Sequence, residues 1–462
     1  MYKAYVTYVT NIRPAANADR LNACEVFGNT TIIDKTITED TLVLYLPSDG
    51  QISVEFGEKN NLFRRKDDAG NNIGGFIDPV KRNIAAIRLR GNRSDGLVLP
   101  ISCLNYCYAH GDASIELRFG DVIDGLVNGH EICCKYIPRR PGRGSRGGAA
   151  GNKTRKKIVD VAPLFKEHAD TEQLAYNLSA FKPGDEIEIT LKMHGTSQRT
   201  AYLPVFKGYK RTLWDRILRR EGTPIYEWGY VSGTRRVVLE NYDGGFYGSN
   251  EFREQHSKVF EGKLWKGETV YYEVVGFTQD GTPIMASANN AKLNDKDFIK
   301  QYGKETVFSY GCKPTGVKLL HGEDEEGKFS YEMPADRSAL YVYRMTMTNE
   351  DGQVVEYTPD FMRYRCEQMG VKTVPVFKHV ILQGLGEDWD IGDAVKQLAE
   401  RFYDGPDPIG KTHVREGVVV RIVNRPKFCA YKHKNFSFKV LENIIKVDAT
   451  EPDMEEAQEV TE

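Results

Sequence analysis

Glu188-Ile-Thr-Leu-Lys192-Met-His194-Gly195-Thr-Ser197 is the stretch on which the reading of this chain turns. The residues leading into it alternate. Ile187, Ile189 and Leu191 fall on one side of an extended strand, and Glu186, Glu188, Thr190 and Lys192 on the other. The pattern predicts a strand buried on its apolar side, with Lys192 projecting from the polar side at its end. Gly195 lets the chain turn close to a ligand. A lysine at such a turn suits attack on a phosphate, provided its amine is neutral. A free ammonium, with a pKa of about 10.4, is charged at neutral pH, so nearby cations or a metal must favour the uncharged form.

Working outward, five segments carry further chemistry. Val231-Ser-Gly-Thr-Arg235-Arg236 presents guanidinium groups, whose forks hold phosphate oxygens bidentately. Tyr271-Tyr-Glu273-Val-Val-Gly276 sets a carboxylate in an apolar strand, where an isolated buried charge costs several kcal/mol and needs a partner or a function. Leu340-Tyr341-Val342-Tyr343-Arg344 puts two tyrosines on one strand face. Arg415-Glu416-Gly417-Val-Val-Val-Arg421 predicts a buried strand opened by Glu416, and Tyr431-Lys432-His433-Lys434-Asn435 places two lysines on one face. Two ammoniums pointing the same way repel unless an anion sits between them; a nucleotide phosphate is such an anion.

In this order, Lys192, Glu273, Glu416 and the Lys432/Lys434 pair resemble the covalent nucleotidyltransferases, the superfamily of ATP-dependent RNA ligases, DNA ligases and mRNA capping enzymes. The resemblance implies a nucleotidyltransferase domain of ATP-grasp-like antiparallel sheets with helices. It also implies ATP as substrate, with Mg2+ or Mn2+ as metal. Lys192 would form a lysyl-AMP phosphoramidate, with His194 and Gly195 in the nucleotide site. Glu273 would bond the ribose hydroxyls, and Tyr341 or Tyr343, with Tyr343 favoured, would stack on adenine. Arg235 or Arg236, with Arg235 favoured, would contact phosphate or the acceptor RNA end. Glu416, with Glu273, would serve metal and phosphate chemistry, and Lys432 and Lys434 would stabilise the transferred phosphate. The superfamily commonly has Asp where this chain has His194. RNA ligase 2-type enzymes carry His there, and Asn435 and Phe438 extend the match to their form of the last motif.

The chain has 462 residues, which predicts two or three domains. No apolar run reaches the roughly 20 residues of a membrane helix, and the N-terminus lacks a secretory core. A cytosolic protein (in the host cytoplasm for a viral chain) with reduced thiols and no membrane partner is expected. Cys103, Cys107, Cys133 and Cys134, with His110 nearby, lack clean zinc spacing and read as core thiols. The net charge of −2 hides an asymmetry: residues 447–462 hold seven acids and no base, so the remainder carries +5.

Residues 139–157, RRPGRGSRGGAAGNKTRKK, have eight basic residues and no acid, and read as a linker with capacity for phosphate contacts. The expected organisation is α+β: an OB-like β-barrel accessory domain at 1–138, the linker, an adenylyltransferase domain at 158–446 and an acidic disordered tail. In the first part, strands are expected at Lys3–Val9, Thr30–Ile33 and Thr41–Leu46; segments 17–22, 44–50 and 88–100 resemble the N-terminal OB domain of one group of nick-sealing RNA ligases. A helix is expected over Ala162–Asn177, and a basic insertion at 204–230 with a short helix over Thr212–Arg220. Only 20 residues follow Glu442, so the accessory domain is expected ahead of the motifs. That order resembles the ligases sealing 3′-OH/5′-phosphate nicks in duplex RNA, acting here as a monomer. The alternatives are a DNA or mixed-substrate ligase, or an inert nucleic-acid-binding protein on the same scaffold.

Overall fold

Alternation and long-range pairing together decide where each strand lies. The structure, a computed structural model, describes residues 2–65, 74–136, 161–235, 238–239, 251–276, 284, 338–384, 390–409 and 415–439, less positions 17, 19, 20, 90, 91, 167, 169, 170, 219 and 437. The linker at 139–157, the tail at 447–462 and Arg236 lie outside those residues. The chain divides into two units, Met1–Pro138 with Lys439–Val447, and Arg139–Phe438 with Asp448–Glu462.

In the first unit, Val43–Leu46 is buried along its whole length. It lies between Ala4–Thr7 and Leu97–Pro100 in a four-stranded antiparallel sheet that ends at Val122–Ile123. Two three-stranded sheets accompany it, one of Thr10–Pro14, Leu21–Val26 and Asn29–Asp34, the other centred on Gly50–Ile52. Leu44, Leu46, Ile52, Phe56, Leu104 and Ile132 share the main core. The expected strands are present, but among the described residues no sheet closes into an OB-like barrel. The strands are short, and helical turns such as Ile101–Cys107 interrupt them, so their ladders stop before meeting. Cys103, Cys107 and Cys133 are buried thiols while Cys134 is exposed, as alternation of neighbours requires. Burial pushes the Cys133 thiol up to about 12. Among the described residues no three His, Cys, Asp or Glu side chains are placed to hold a metal ion, and no helix is long and apolar enough to cross a membrane.

The second unit holds two antiparallel sheets. The five-stranded one runs Glu172–Gln173, Cys429–Lys434, Gly417–Ile422, Glu186–Leu191, Val376–Ile381, with the first strand parallel to its neighbour. One face buries Ile187, Ile189, Val418, Val420 and Ile422 against Leu174, Phe181 and the helix Ile391–Glu400. The Asp390 carboxylate caps that helix, accepting from the Asp393 N–H at 2.9 Å. The six-stranded sheet runs Thr223–Gly233, Thr196–Lys210, Glu268–Gly276, Ser338–Thr348, Val354–Glu356, with Lys372–Thr373 also beside Ser338–Thr348. Val270, Tyr272, Val274 and Val342 pack against Phe252, Phe260, Met362 and Cys366. Each sheet thus spends one face on helices and keeps the other for the site.

Two helix expectations are corrected. The described residues of 162–177 form no α-helix; they pass through a strand at Glu172–Gln173 and a 3₁₀ turn at Leu174–Tyr176. Ala162 and Phe165 dock against Ala201, Leu203 and Val231 of one sheet, while Leu174 enters the core of the other, and one straight helix does not serve both. The insertion is a long hairpin, Thr196–Lys210 against Thr223–Gly233, whose tip carries a helix only from Leu213 to Ile217.

Glu268 is fully buried and accepts two bonds from Arg365, Nε to Oε1 and Nη2 to Oε2, both at 2.7 Å, plus one from the Tyr357 hydroxyl at 3.0 Å. Glu268→Ala leaves a buried guanidinium without its carboxylate and is expected to lower stability by about 3–5 kcal/mol. A urea-unfolding midpoint unchanged in that variant would contradict this.

Candidate active site

Strand register brings the chemistry together. Leu191 pairs with Val418, the Lys192 N–H donates to the Gly417 carbonyl at 3.0 Å, and Gly417 pairs with Lys434. Residues 192, 417 and 434 therefore lie abreast on three adjacent strand ends. Glu416, one residue before Gly417, falls between the two lysines. Gly417 has φ of +150°, and a Cβ there would meet the His433 carbonyl oxygen at 2.2 Å, so glycine is required for this approach.

Lys192 Nζ donates to Glu416 Oε1 at 2.6 Å, and Lys434 Nζ lies 3.2 Å from the same oxygen. His194 Nδ1 stands 3.4 Å from Oε2. Lys192 is 9% exposed and Glu416 3%, so the polar end of the strand is enclosed rather than solvated. Burial alone would raise the Glu416 carboxyl, but the charges of Lys192 and Lys434 and the contact with His194 outweigh it and hold the group well below the usual carboxylate range. Glu416 thus sits between Lys192 and Lys434, while Lys432, the other lysine of the expected phosphate-binding pair, lines the cleft. The Phe438 ring stands edge-on to His194, centroids 4.8 Å apart. The Asn435 side-chain amide donates to Asp404 at 2.6 Å, and its N–H to the Glu416 carbonyl at 2.8 Å.

Beyond this cluster opens a cleft of about 940 Å³, part of it open to solvent. From the five-stranded sheet Glu188, Thr190, Lys192, Val419, Arg421 and Lys432 line it. Pairing explains the set: Lys432 lies opposite Val419, and Val419 opposite Thr190, so these side chains share a face. Glu273 and Tyr343 of the six-stranded sheet and Arg235 line it too. A Cβ on Gly195 would meet the Val274 carbonyl at 2.4 Å and Glu273 Cγ at 2.9 Å, so the turn after Lys192 presses against the Glu273 strand.

Both tyrosines pack on one apolar cluster, but only Tyr343 also lines the cleft. Tyr341 is opposite Glu273 in register but packs with Leu191, Met193, Val275 and Val374 in the core. Tyr343 lines the cleft, its hydroxyl 2.9 Å from Ser197 Oγ and 3.3 Å from His168 Nε2. Burial, followed by the Glu273 charge, raises the Tyr343 phenol.

Sequence reading missed three residues here. His168 stands in no motif, yet it lines the cleft and tilts against Tyr271 with centroids 4.9 Å apart. Arg344 Nη1 donates to His168 Nδ1 at 2.9 Å, which places the ring proton on Nε2, toward Tyr343. Burial, then the guanidiniums of Arg344, Arg235 and Arg199, hold the imidazole well below its ordinary value near 6.5. Arg199 binds the carbonyls of Thr234 and Arg235 while stacking on Phe165, bracing the turn that carries Arg235. Arg253 donates to Thr196 Oγ1 at 2.8 Å and to the Ser197 carbonyl at 3.2 Å, bracing the chain after Gly195. Only their partners, remote in sequence, reveal these roles.

His168 has a consequence for stability. Its folded-state pKa is depressed, so the unfolded chain binds its proton first as pH falls, and stability declines below about pH 6.5. His168→Gln is expected to flatten that decline between pH 6.5 and 5; unfolding curves of the two proteins at several pH values check it, and parallel declines would refute it.

No family model and no curated protein matches the sequence. Solved structures do. A Naegleria gruberi RNA ligase variant with ATP and Mn aligns at a TM-score of 0.54 and 16% identity, covering 96% of this chain and 98% of that one. A variant of that enzyme with AMP and Mn gives 0.53 and 15%, over 95% and 98%. The same ligase with pyrophosphate gives 0.51 and 15%, again over 95% and 98%. At this identity the likeness establishes the fold: the chain has the mixed α+β fold of an RNA ligase.

Proposed function

We propose that the protein is an ATP-dependent RNA ligase that seals 3′-OH/5′-phosphate breaks through a lysyl-AMP intermediate. The observation that carries this reading is the convergence of Lys192, Glu416 and Lys434 from three adjacent strands at the edge of a cleft that also presents Lys432, Glu273 and Arg235.

A charge count indicates how Lys192 becomes a nucleophile. Two ammoniums share one carboxylate oxygen, so Lys192, Lys434 and Glu416 together hold one surplus positive charge. Passing the Lys192 proton to solvent neutralises the set and leaves Glu416 paired with Lys434. The amine then attacks the α-phosphorus of ATP; the N–P bond forms as the bond to pyrophosphate breaks. Lys432 and Lys434 face the charge that develops on the phosphate. Next, an oxygen of the RNA 5′-phosphate attacks the AMP phosphorus, the N–P bond breaks and Lys192 regains a proton. Finally the 3′-OH attacks the activated 5′-phosphate; the new O–P bond forms as the bond to AMP breaks, AMP departs and the hydroxyl proton goes to solvent. Glu273 accepts from the ribose hydroxyls, Tyr343 offers its ring to the base, and Arg235 binds a phosphate.

The donor set fits a divalent metal that arrives with the nucleotide. Magnesium keeps several waters and phosphate oxygens among its ligands, so two carboxylates suffice. Glu416 and Glu273 would hold it, and the ion would neutralise phosphate charge. The first unit would be an accessory RNA-binding module.

The test uses nicked duplexes with RNA or DNA on each side of the break, incubated with ATP and magnesium. Sealing is expected with RNA supplying the 3′-OH end. Equal sealing of an all-DNA nick would move the assignment to a mixed-substrate ligase, and no sealing of any duplex would overturn it.

A further inference from the structure

The hairpin at 204–230 takes no part in the cleft. Its strands pair from Arg199–Gly233 out to Lys210–Thr223, a ladder of roughly 35 Å at about 3.4 Å per residue. Beyond the ladder the chain turns through Leu213–Ile217, held by the Thr212 N–H and hydroxyl donating to Asp215 at 2.8 and 2.7 Å. At this far end Leu213, Trp214, Ile217 and Leu218 are 72%, 69%, 61% and 53% exposed. Four large apolar side chains grouped on a convex tip are what a monomer ordinarily hides. Just behind them stand Lys210 and Arg211 on one side and Arg220 on the other, all exposed. By sequence the segment 204–222 carries six basic residues and two acidic ones.

We infer that this tip docks on an anionic lipid surface, Leu213, Trp214, Ile217 and Leu218 entering the headgroup–acyl boundary while Lys210, Arg211 and Arg220 meet the lipid phosphates. Charge argues against a second copy, because two cationic tips repel. An RNA backbone would satisfy the basic collar, and Trp214 can stack on a base, but Leu213, Ile217 and Leu218 would then face ribose and phosphate. A protein groove needs a shape matched to the convex tip, whereas a fluid bilayer does not. Exposed apolar residues at the end of the hairpin, flanked in the chain by exposed cations, match the acyl chains and anionic headgroups of a membrane surface, and tryptophan favours that boundary. The expectation of no membrane partner rested on the lack of a spanning segment, which surface docking does not require. The inference stands apart from the ligase reading.

Vesicle sedimentation with the full chain tests it, using phosphatidylserine/phosphatidylcholine vesicles against phosphatidylcholine alone. The expected result is binding to the anionic vesicles, weakened by salt. Leu213→Ser with Trp214→Ser should lower it about tenfold or more, and Lys210→Glu with Arg211→Glu likewise. Both double variants should keep the wild-type melting temperature and nucleotide labelling. Equal binding to both vesicle types, or undiminished binding by the tip variants, would overturn the proposal. So would tip variants that lose affinity for nicked RNA or for a protein while wild type ignores vesicles.

Discussion

Lys192→Ala is expected to abolish covalent labelling of the protein by ATP carrying the label on its α-phosphate, measured after denaturation in the presence of magnesium. No other described amine stands where it can replace Lys192: Lys434 Nζ is on the far side of Glu416, held 3.2 Å from it, and Lys432 is one pleat removed on the third strand. The loss should be total within detection, because forming the N–P bond requires that nitrogen. The fold should survive, since Glu416 keeps Lys434 and His194 after the truncation. A second readout separates chemistry from collapse. A nicked RNA already carrying AMP on its 5′-phosphate bypasses the first step, and Lys192→Ala should still join it. Labelling that persists in the variant would remove Lys192 from its role and, with it, the mechanism proposed above.

Glu416→Ala should have the second largest effect, on stability as well as activity. Truncation leaves the ammoniums of Lys192 and Lys434 in a buried place without the carboxylate both address. Removing one partner of a buried ionic set costs about 3–5 kcal/mol. Labelling should fall to the background of Lys192→Ala, because the lysine loses the group that aims it. The pH dependence follows from the depressed carboxyl of Glu416. Its usual value is near 4.5 and its folded value lies well below. Its contribution to stability is therefore fully present above about pH 4.5 and is lost as pH falls toward the folded value. Glu416→Gln, which no longer titrates, should lack this part of the acid decline. Unfolding free energies from urea titrations between pH 3 and 7 give the comparison; a Glu416→Gln curve parallel to wild type would refute the assignment.

Alternation made much of the site legible. Ile187 and Ile189 enter one core as the period of two requires, Leu191 is buried in a second cluster at the edge of the cleft, and the polar partners Thr190 and Lys192 face the cleft. Gly195, expected to bring the chain close to a ligand, admits the neighbouring Glu273 strand, and Gly417, whose role sequence did not indicate, admits the His433 carbonyl. Where one periodicity had to serve two cores, the reading failed. Residues 162–177 look amphipathic because their apolar groups are needed, but they are needed by different sheets. The two tyrosines show a subtler limit. Equal spacing says Tyr341 and Tyr343 share a face, and both meet one apolar cluster, but the ladder passes from Val342 to Arg344 and leaves Tyr343 as the extra residue of a bulge, at the cleft.

The amino-acid sequence determined, without help, which residue types are present and in what order, and which side of each strand must be dry, because side-chain chemistry and a two-residue repeat are local properties. Only the tertiary structure decided that Glu416 sits between Lys192 and Lys434, 224 positions of chain separating the first pair. It also decided that His168, Arg199 and Arg253 belong to the site. Those facts depend on the lateral register of strands that meet only when two cores close around them, and no window along the chain contains that register.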